Sequence, residues 1–254
     1  MRAIAKSGDT IRLTTRVGLS MTQQLARIAI IGGTGALGAA IAGRLAKAGY
    51  PVILGSREAS KAVAAAAQMS DSLSAGTTGA TRAITLQGMD NRSAAEQASL
   101  IILAVPFASQ EATLKDITPV VHGKIVVDTT VPLVPPKVMR VQLPAEGCAA
   151  LRAQAVLGAE VTVVSAFHNV AAHKLATDAD IECDVLVFGD QRAAREQVIQ
   201  LVEACGLRGL HGGALCNSAA AEALTSVLIF LNRTYSVDGA GIRITGELTP
   251  PKAD

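Results

Sequence analysis

The chain has no tryptophan, and only two tyrosines and four phenylalanines among 254 residues. Proteins that hold single-stranded nucleic acid stack its bases on aromatic side chains, so this scarcity argues against that class. Charge is sparse as well: 17% of residues are Asp, Glu, Lys or Arg, and the formal net charge is +2. Such a balance implies no polyanionic partner. The four cysteines, Cys148, Cys183, Cys205 and Cys216, show neither C-x-x-C spacing nor a companion histidine cluster. They read as reduced thiols of a cytoplasmic protein, with no disulfide frame and no metal site indicated. Apolar runs fall short of the roughly 18 residues of a membrane span. The longest, around Val161–Ala172 and Val227–Leu231, are interrupted by His168 and Asn169 and closed by Arg233. No Ser-His-Asp spacing is present, which leaves hydrolytic nucleophile chemistry without support.

Half of the residues are apolar, enough to bury a large core and to make disorder unlikely over most of the length. The stretch around which the chain is organised is Arg27–Gly38, Arg-Ile-Ala-Ile-Ile-Gly-Gly-Thr-Gly-Ala-Leu-Gly. Ile28–Ile31 reads as a strand buried on both faces of a parallel sheet. Gly33, Gly35 and Gly38 then fall into G-x-G-x-x-G register. In that register Gly33 takes the turn off the strand, Gly35 lets backbone approach a pyrophosphate, and Gly38 allows close helix packing. Leu37, Ile41 and Leu45 recur at helical spacing, and a second apolar strand, Val52–Leu54, follows. A glycine fingerprint between strand and helix is the context that makes it a dinucleotide site, with Gly33, Thr34, Gly35, Ala36 and Leu37 at the phosphates.

An NAD site places Asp or Glu at the end of that second strand to hold the ribose 2′-hydroxyl. Here Gly55-Ser56-Arg57 stands there, with Lys61 one turn further on. A carboxylate would repel a 2′-phosphate, whereas a guanidinium binds one through charge-assisted hydrogen bonds. NADP is therefore expected over NAD. The competing interpretation is a solvated helix start with Ser56 as its N-cap, and Glu58 beside Arg57 supports it.

The remaining chain alternates strands and helices, which predicts an α/β, Rossmann-like, doubly wound and mainly parallel sheet with a smaller C-terminal α/β lobe. A helix is expected from Lys61 to about Met69, a loop over Ser70–Thr81, a strand over Arg82–Leu86, and a helix within Gly88–Gln97 capped by Asn91 or Ser93. Leu100–Val105 is the strongest strand and ends at Pro106; Lys124–Asp128, Glu160–Phe167 and Asp184–Phe188 follow. Helices are expected over Gln191–Cys205 and Asn217–Tyr235. Ligand loops gather at the carboxyl ends of such strands. Val105, Pro106 and Phe107 are therefore expected over the dinucleotide, and His168 and Asn169 at the same edge. His168 is the titratable group expected at the reacting rings, as acid or hydrogen-bond donor. His122, His173 and His211 read as surface or turn residues, and Asp128 as either a loop cap or a ligand. Residues 1–24 are expected to be an extension without order, residues 25–170 the NADP-binding domain, and residues 171–254 the smaller lobe.

Gly32-Gly33-Thr34-Gly35, Gly55-Ser56-Arg57 with Lys61, Leu103-Ala104-Val105-Pro106 and Ala166-Phe167-His168-Asn169 together resemble the NADPH-dependent coenzyme F420 reductases. So do Val187–Asp190, Asn217-Ser218, Glu222–Thr225 and Gly241–Ile244. The resemblance implies hydride exchange between NADP(H) and the deazaflavin F420. It puts Thr34, Ser56, Arg57 and Lys61 at the 2′-phosphate, and Pro106, Phe107, Val134, His168 and Asn169 near the deazaflavin. It also implies a homodimer whose C-terminal segment helps to close the site. The family's Asp-Ala-Gly-Pro-Leu turn appears here as His211-Gly212-Gly213-Ala214-Leu215, and Phe107 stands where Trp or Tyr is usual. Both departures lie on the acceptor side. Two other readings share the scaffold: an NADPH-dependent reductase of an imine, flavin or ferric chelate, and a non-catalytic NADP-binding redox sensor.

Overall fold

In the structure of the chain, a computed structural model, residues 25–75 and 84–249 are described. The expected N-terminal extension and the expected strand start at Arg82 lie outside them. The elements are β1 (Ile28–Ile31), α1 (Ala36–Lys47), β2 (Val52–Ser56), α2 (Ala59–Ala75), β3 (Leu86–Asp90), α3 (Asn91–Gln97), β4 (Leu100–Leu103) and α4 (Phe107–Ile117). They continue with β5 (Ile125–Asp128), α5 (Ala149–Leu157), β6 (Thr162–Ser165), α6 (Ala172–Leu175), β7 (Asp184–Phe188), α7 (Arg192–Ala204), β8 (Arg208–Gly213) and α8 (Ser218–Tyr235).

All eight strands form one sheet in the order β3-β2-β1-β4-β5-β6-β7-β8. Pairing is parallel except between β6 and β7, which meet antiparallel at Ser165 and Phe188. Alternate strand residues feed two cores. Ile28, Ile30, Val52 and Leu54 pack under α1, α2 and α7, while Ala29, Ile31, Ile53 and Ile101 pack under α3, α4 and α5. Cover on both faces explains why β1 and β4 are wholly apolar and wholly buried.

Several boundaries differ from the sequence reading: the strand expected over Leu100–Val105 ends at Leu103, and β8 has no counterpart in it. Helix α2 continues past Met69 to Ala75. Met69 and Leu73 pack against the core at i,i+4 spacing, and the Ser72 hydroxyl donates to the Gln68 carbonyl, which lets serine stay helical. The third strand lies at Leu86–Asp90, pairing Val52 with Leu86 and Ser56 with Asp90. Leu-Gln-Gly-Met-Asp has little intrinsic strand preference; sheet pairing and α2 impose it. A Cβ on Gly88 would lie 2.2 Å from the Ala62 carbonyl, so only glycine admits α2 this close. Helix α3 is capped by Asp90, which accepts from the Ser93 N–H at 2.9 Å, and not by Asn91 or Ser93. Strand β6 ends at Ser165 rather than Phe167, because Phe167 takes a left-handed φ of 65°.

Candidate active site at the carboxyl edge of the sheet

Between β1 and β4 the chain leaves the sheet in opposite directions, which opens a crevice at their carboxyl ends. The positive φ of the first turn belongs to Gly32, at 81°, and not to Gly33. Gly33 is glycine for space: a Cβ there would sit 2.8 Å from the Ile30 carbonyl oxygen and 2.9 Å from Leu54. A Cβ on Gly38 would meet the Gly32 carbonyl oxygen at 2.6 Å, so helix α1 lies directly on the loop. Gly35 differs from these. Its Cβ would meet only the Gly32 oxygen, at 3.3 Å, with open space beyond. Gly35 is also the N-cap of α1, with no side-chain cap and no acidic residue in the first turn. The amides of Ala36 and Leu37 precede the intrahelical ladder and carry the positive end of the helix dipole. Thr34, Gly35 and Ala36 are exposed and Leu37 is half-buried. This cradle fits a pyrophosphate.

Ser56 is the last residue of β2 and Arg57 is exposed beyond it. The Ser56 hydroxyl accepts from the Glu58 N–H at 3.3 Å, but α2 begins only at Ala59. Lys61 pairs with Glu58 at 2.7 Å, both side chains being about two-thirds exposed. A pair so open to water contributes little and breaks readily. No carboxylate therefore holds the place of the ribose-binding acid, and Arg57 is the cation presented at that strand end.

The Val105-Pro106-Phe107 corner follows β4 at the carboxyl edge of the sheet. A Cβ on Gly32 would touch the Ala104 carbonyl at 2.5 Å and Val105 at 2.9 Å, so this corner closes on the glycine loop. Pro106 is the exposed N-cap residue of α4. Phe107 is half-buried beneath the Arg152 guanidinium, 4.7 Å from the ring centroid. Arg152 also pairs with Glu111 at 3.1 Å. Val134 is exposed on the loop after β5, where its carbonyl accepts from the Lys137 N–H.

His168 and Asn169 follow strained Phe167 and are buried, each 7% exposed. Burial lowers the His168 pKa to about 4, so at neutral pH the ring is uncharged. Its Nε2 has no hydrogen-bond partner among the described residues, and its ring lies 6.4 Å from that of Phe188. A charged acid at this position is thereby excluded near pH 7, while a neutral N–H donor remains. Asn169 faces another way: its amide donates to the Ala221 carbonyl at 2.9 Å and to Thr225 at 3.1 Å. His122 pairs with Glu160 and His173 with Asp238, both at the surface, whereas His211, expected at the surface or in a turn, lies half-buried within β8, opposite Val187, and accepts from Arg195 at 3.3 Å.

A set of buried residues behind this edge was not anticipated as a unit. Asp128, at the end of β5, accepts from Gln110 at 2.7 Å and from the Thr130 N–H at 3.1 Å. Burial raises its pKa to about 6. Glu222 of α8 accepts from the Ala149 and Ala150 amides at 2.6 and 3.1 Å and from the Ser218 hydroxyl at 2.8 Å. Burial raises its pKa to about 7 against those donors. The one available signal was Glu222 itself, the only charged residue between Ser218 and Asn232.

Residues 27–132 match the family model described as NADP oxidoreductase coenzyme F420-dependent. The F420-dependent NADP reductase of Methanocaldococcus jannaschii is 39% identical over 227 residues, 86% of this chain and 98% of that protein. The F420-dependent NADP reductase of Methanothermobacter marburgensis is 37% identical over 225 residues, with 86% and 98% covered. A solved chain from Arthrobacter sp. FB24 superposes with a TM-score of 0.70 at 24% identity, covering 87% of this chain and all of that one, which shows the shared fold. On the sequence relationship, which spans nearly the full length of both reductases, the chain belongs to the family of F420-dependent NADP reductases.

Proposed function

We propose that this chain exchanges a hydride between NADP(H) and the deazaflavin coenzyme F420. The observation that carries the reading is the pairing of an uncapped, unobstructed helix N-terminus at Gly35 with Ser56-Arg57 where a ribose-binding acid would stand. The hydride donor and acceptor, when bound, supply the redox chemistry, and the protein supplies binding, orientation and exclusion of water. The loop Gly33, Thr34, Gly35, Ala36 and Leu37 holds the pyrophosphate: the amides of Thr34, Ala36 and Leu37 donate to it, while those of Gly33 and Gly35 donate to the Ile30 and Gly32 carbonyls and keep the loop in shape. Ser56, Arg57 and Lys61 hold the 2′-phosphate, Lys61 by exchanging Glu58 for it. Val105 and Pro106 support the nicotinamide against the glycine loop. Phe107, Val134 and His168 border the acceptor, with His168 as a neutral donor to charge that develops there, while the Asn169 side chain, expected beside them, instead ties this segment to α8. Residues 25–170 carry the NADP side and residues 171–254 complete the acceptor side.

The protein acts in this reading as a cytoplasmic homodimer, with α8 at the interface. Residues Leu215–Tyr235 form a 21-residue stretch long and apolar enough to cross a membrane by length and composition, only a third of it buried. Its inward face carries Ser218, Glu222 and Ser226, all buried, so this face belongs to the protein's own interior. Its outward face carries Val227 and Phe230, 41% and 50% exposed. A second copy is the occupant that suits such a surface. The test of function is direct. Oxidised F420 mixed with the protein and NADPH should lose its deazaflavin absorbance, and NADH should be far less effective. Folded protein that leaves the absorbance unchanged with NADPH would refute the reading.

A further inference from the structure

Helix α8 departs from an ordinary surface helix: its buried face carries Ser218, Glu222 and Ser226 beside Ala221 and Leu228, while Val227 and Phe230 are exposed. Ser218, Ala221 and Glu222 are buried and Thr225 half-buried, at i, i+3, i+4 and i+7, one stripe of the helix. Each position on it is tied to the carboxyl edge of the sheet. The Ser165 hydroxyl, on the last residue of β6, donates to the Ser218 oxygen at 2.7 Å, and Ser218 donates to Glu222 at 2.8 Å. The Thr225 hydroxyl donates to the His168 carbonyl at 2.9 Å, and Asn169 donates to the Ala221 carbonyl. Glu222 joins this stripe to a third element. Its two carboxylate oxygens accept from Ala149 and Ala150, the first amides of α5, where the helix dipole favours a negative group.

We propose that Glu222 is a positioning residue for the reaction: its carboxylate locks the register of α8 against α5, and α8 in turn holds residues 165–169 in place. The proposal rests on the functional reading above. Its physical content is that Glu222 has no exposed face, being 1% accessible, and so acts on bound molecules only through its partners. A carboxylate offers two equivalent acceptors for two converging amides, which fixes the helix in rotation and translation at once. A carboxamide offers one oxygen and turns an N–H₂ toward a backbone N–H, so Glu222→Gln breaks one of the two bonds with little change in volume. The strained Phe167 backbone makes the adjoining segment dependent on such restraints, since a left-handed phenylalanine relaxes where packing allows.

The test compares wild type, Glu222→Gln and Ser218→Ala, the last keeping the α5 contact while cutting the link to Ser165. Hydrogen exchange is followed on peptides covering 149–151, 165–169 and 28–38, together with NADPH affinity and steady-state F420 reduction. Faster exchange is expected at 165–169 in both variants, with 28–38 and NADPH affinity unchanged. The kcat/KM for F420 should fall roughly ten- to a hundredfold, the cost of displacing a site by about an ångström. Faster exchange confined to 149–151, with wild-type F420 kinetics, would reduce Glu222 to a helix cap and overturn the proposal. If wild type itself fails to reduce F420, the functional reading falls, and the exchange pattern at 165–169 still decides the coupling. If Glu222→Gln does not fold, Ser218→Ala decides it by the same two readouts.

Discussion

The two ends of the crevice are built on opposite plans. At the end proposed for the dinucleotide, the proposed binding groups are backbone amides and largely exposed side chains, drawn from Thr34–Leu37 and Ser56–Lys61. Behind the end proposed for the acceptor lie buried side chains whose partners are far away in the chain: 73 residues from Ala149 to Glu222, 53 from Ser165 to Ser218, 52 from Asn169 to Ala221. The difference teaches where affinity and stability separate. Changes at the first end should cost ligand and spare the fold; changes at the second should cost both.

The sharpest break of this contrast is Gly35→Val. Gly35 has φ −79°, which valine adopts, and its Cβ would meet only one protein atom within 4 Å. The melting temperature should hold, while NADPH affinity falls by roughly a thousandfold, about 4 kcal/mol. Retained affinity in an isothermal titration would move the pyrophosphate elsewhere. Glu222→Ala tests the other end. It strands the Ala149 and Ala150 amides and the Ser218 hydroxyl without their acceptor, at about 1–3 kcal/mol for each buried group left unpaired. Thermal denaturation should show a fall of roughly 6 °C or more, and an unchanged midpoint would mean that the network is not holding the core.

His168→Ala should slow hydride transfer to F420 by roughly a hundredfold, with NADPH affinity within a few-fold of wild type. Stopped-flow traces at the wild-type rate would return His168 to a purely structural position. Arg57→Ala should weaken NADPH roughly ten- to a hundredfold, as expected for a charge-assisted bond of about 1.5–3 kcal/mol. NADH should scarcely respond, and equal losses for the two cofactors would show that Arg57 does not read the phosphate.

The smallest effect is on the pH dependence of stability, where the acceptor end contains opposing terms. His168 has a folded pKa lowered from 6.5 to about 4. Its contribution is complete above about 6.5 and is lost as pH falls toward about 4. Asp128 and Glu222 are raised from 3.8 to about 6 and from 4.5 to about 7. Their contribution is complete below the unfolded values and is lost as pH rises through about 6 and about 7. The charged groups that bear on this pair are Asp128, which raises Glu222 further, and Arg152, which favours the ionised form of Asp128. Between pH 7 and pH 5 the terms oppose, so the wild-type midpoint should shift by only a few degrees. His168→Gln removes the opposing term and should rise more on acidification. Parallel curves for the two proteins would mean that His168 is not held neutral by burial.

Much of the dinucleotide end was legible because its chemistry is local. A four-residue apolar run, a glycine register and a strand-end Ser-Arg are read from about thirty consecutive residues, and the structure has β1, the glycine loop, α1 and β2 in that order, with Gly35 open and Arg57 exposed. The turn assigned to Gly33 belongs to Gly32, since two adjacent glycines share one pattern and only the packing of Leu54 and Ala104 tells them apart. Strand β3 was misplaced for a similar reason: its residues carry weak propensity, and pairing with β2 decides.

What the sequence determined by itself is the parallel core and the phosphate-reading edge, because apolar periodicity and glycine spacing encode burial and backbone conformation directly. What only the tertiary structure decided is the acceptor end. An acid such as Glu222 has no partner within its own helix other than Ser218. That it caps α5, that its helix exposes Val227 and Phe230, and that burial keeps His168 neutral all follow from contacts more than fifty residues apart in the chain. Desolvation and hydrogen bonding depend on what surrounds a group in space, and one-dimensional spacing carries no record of that.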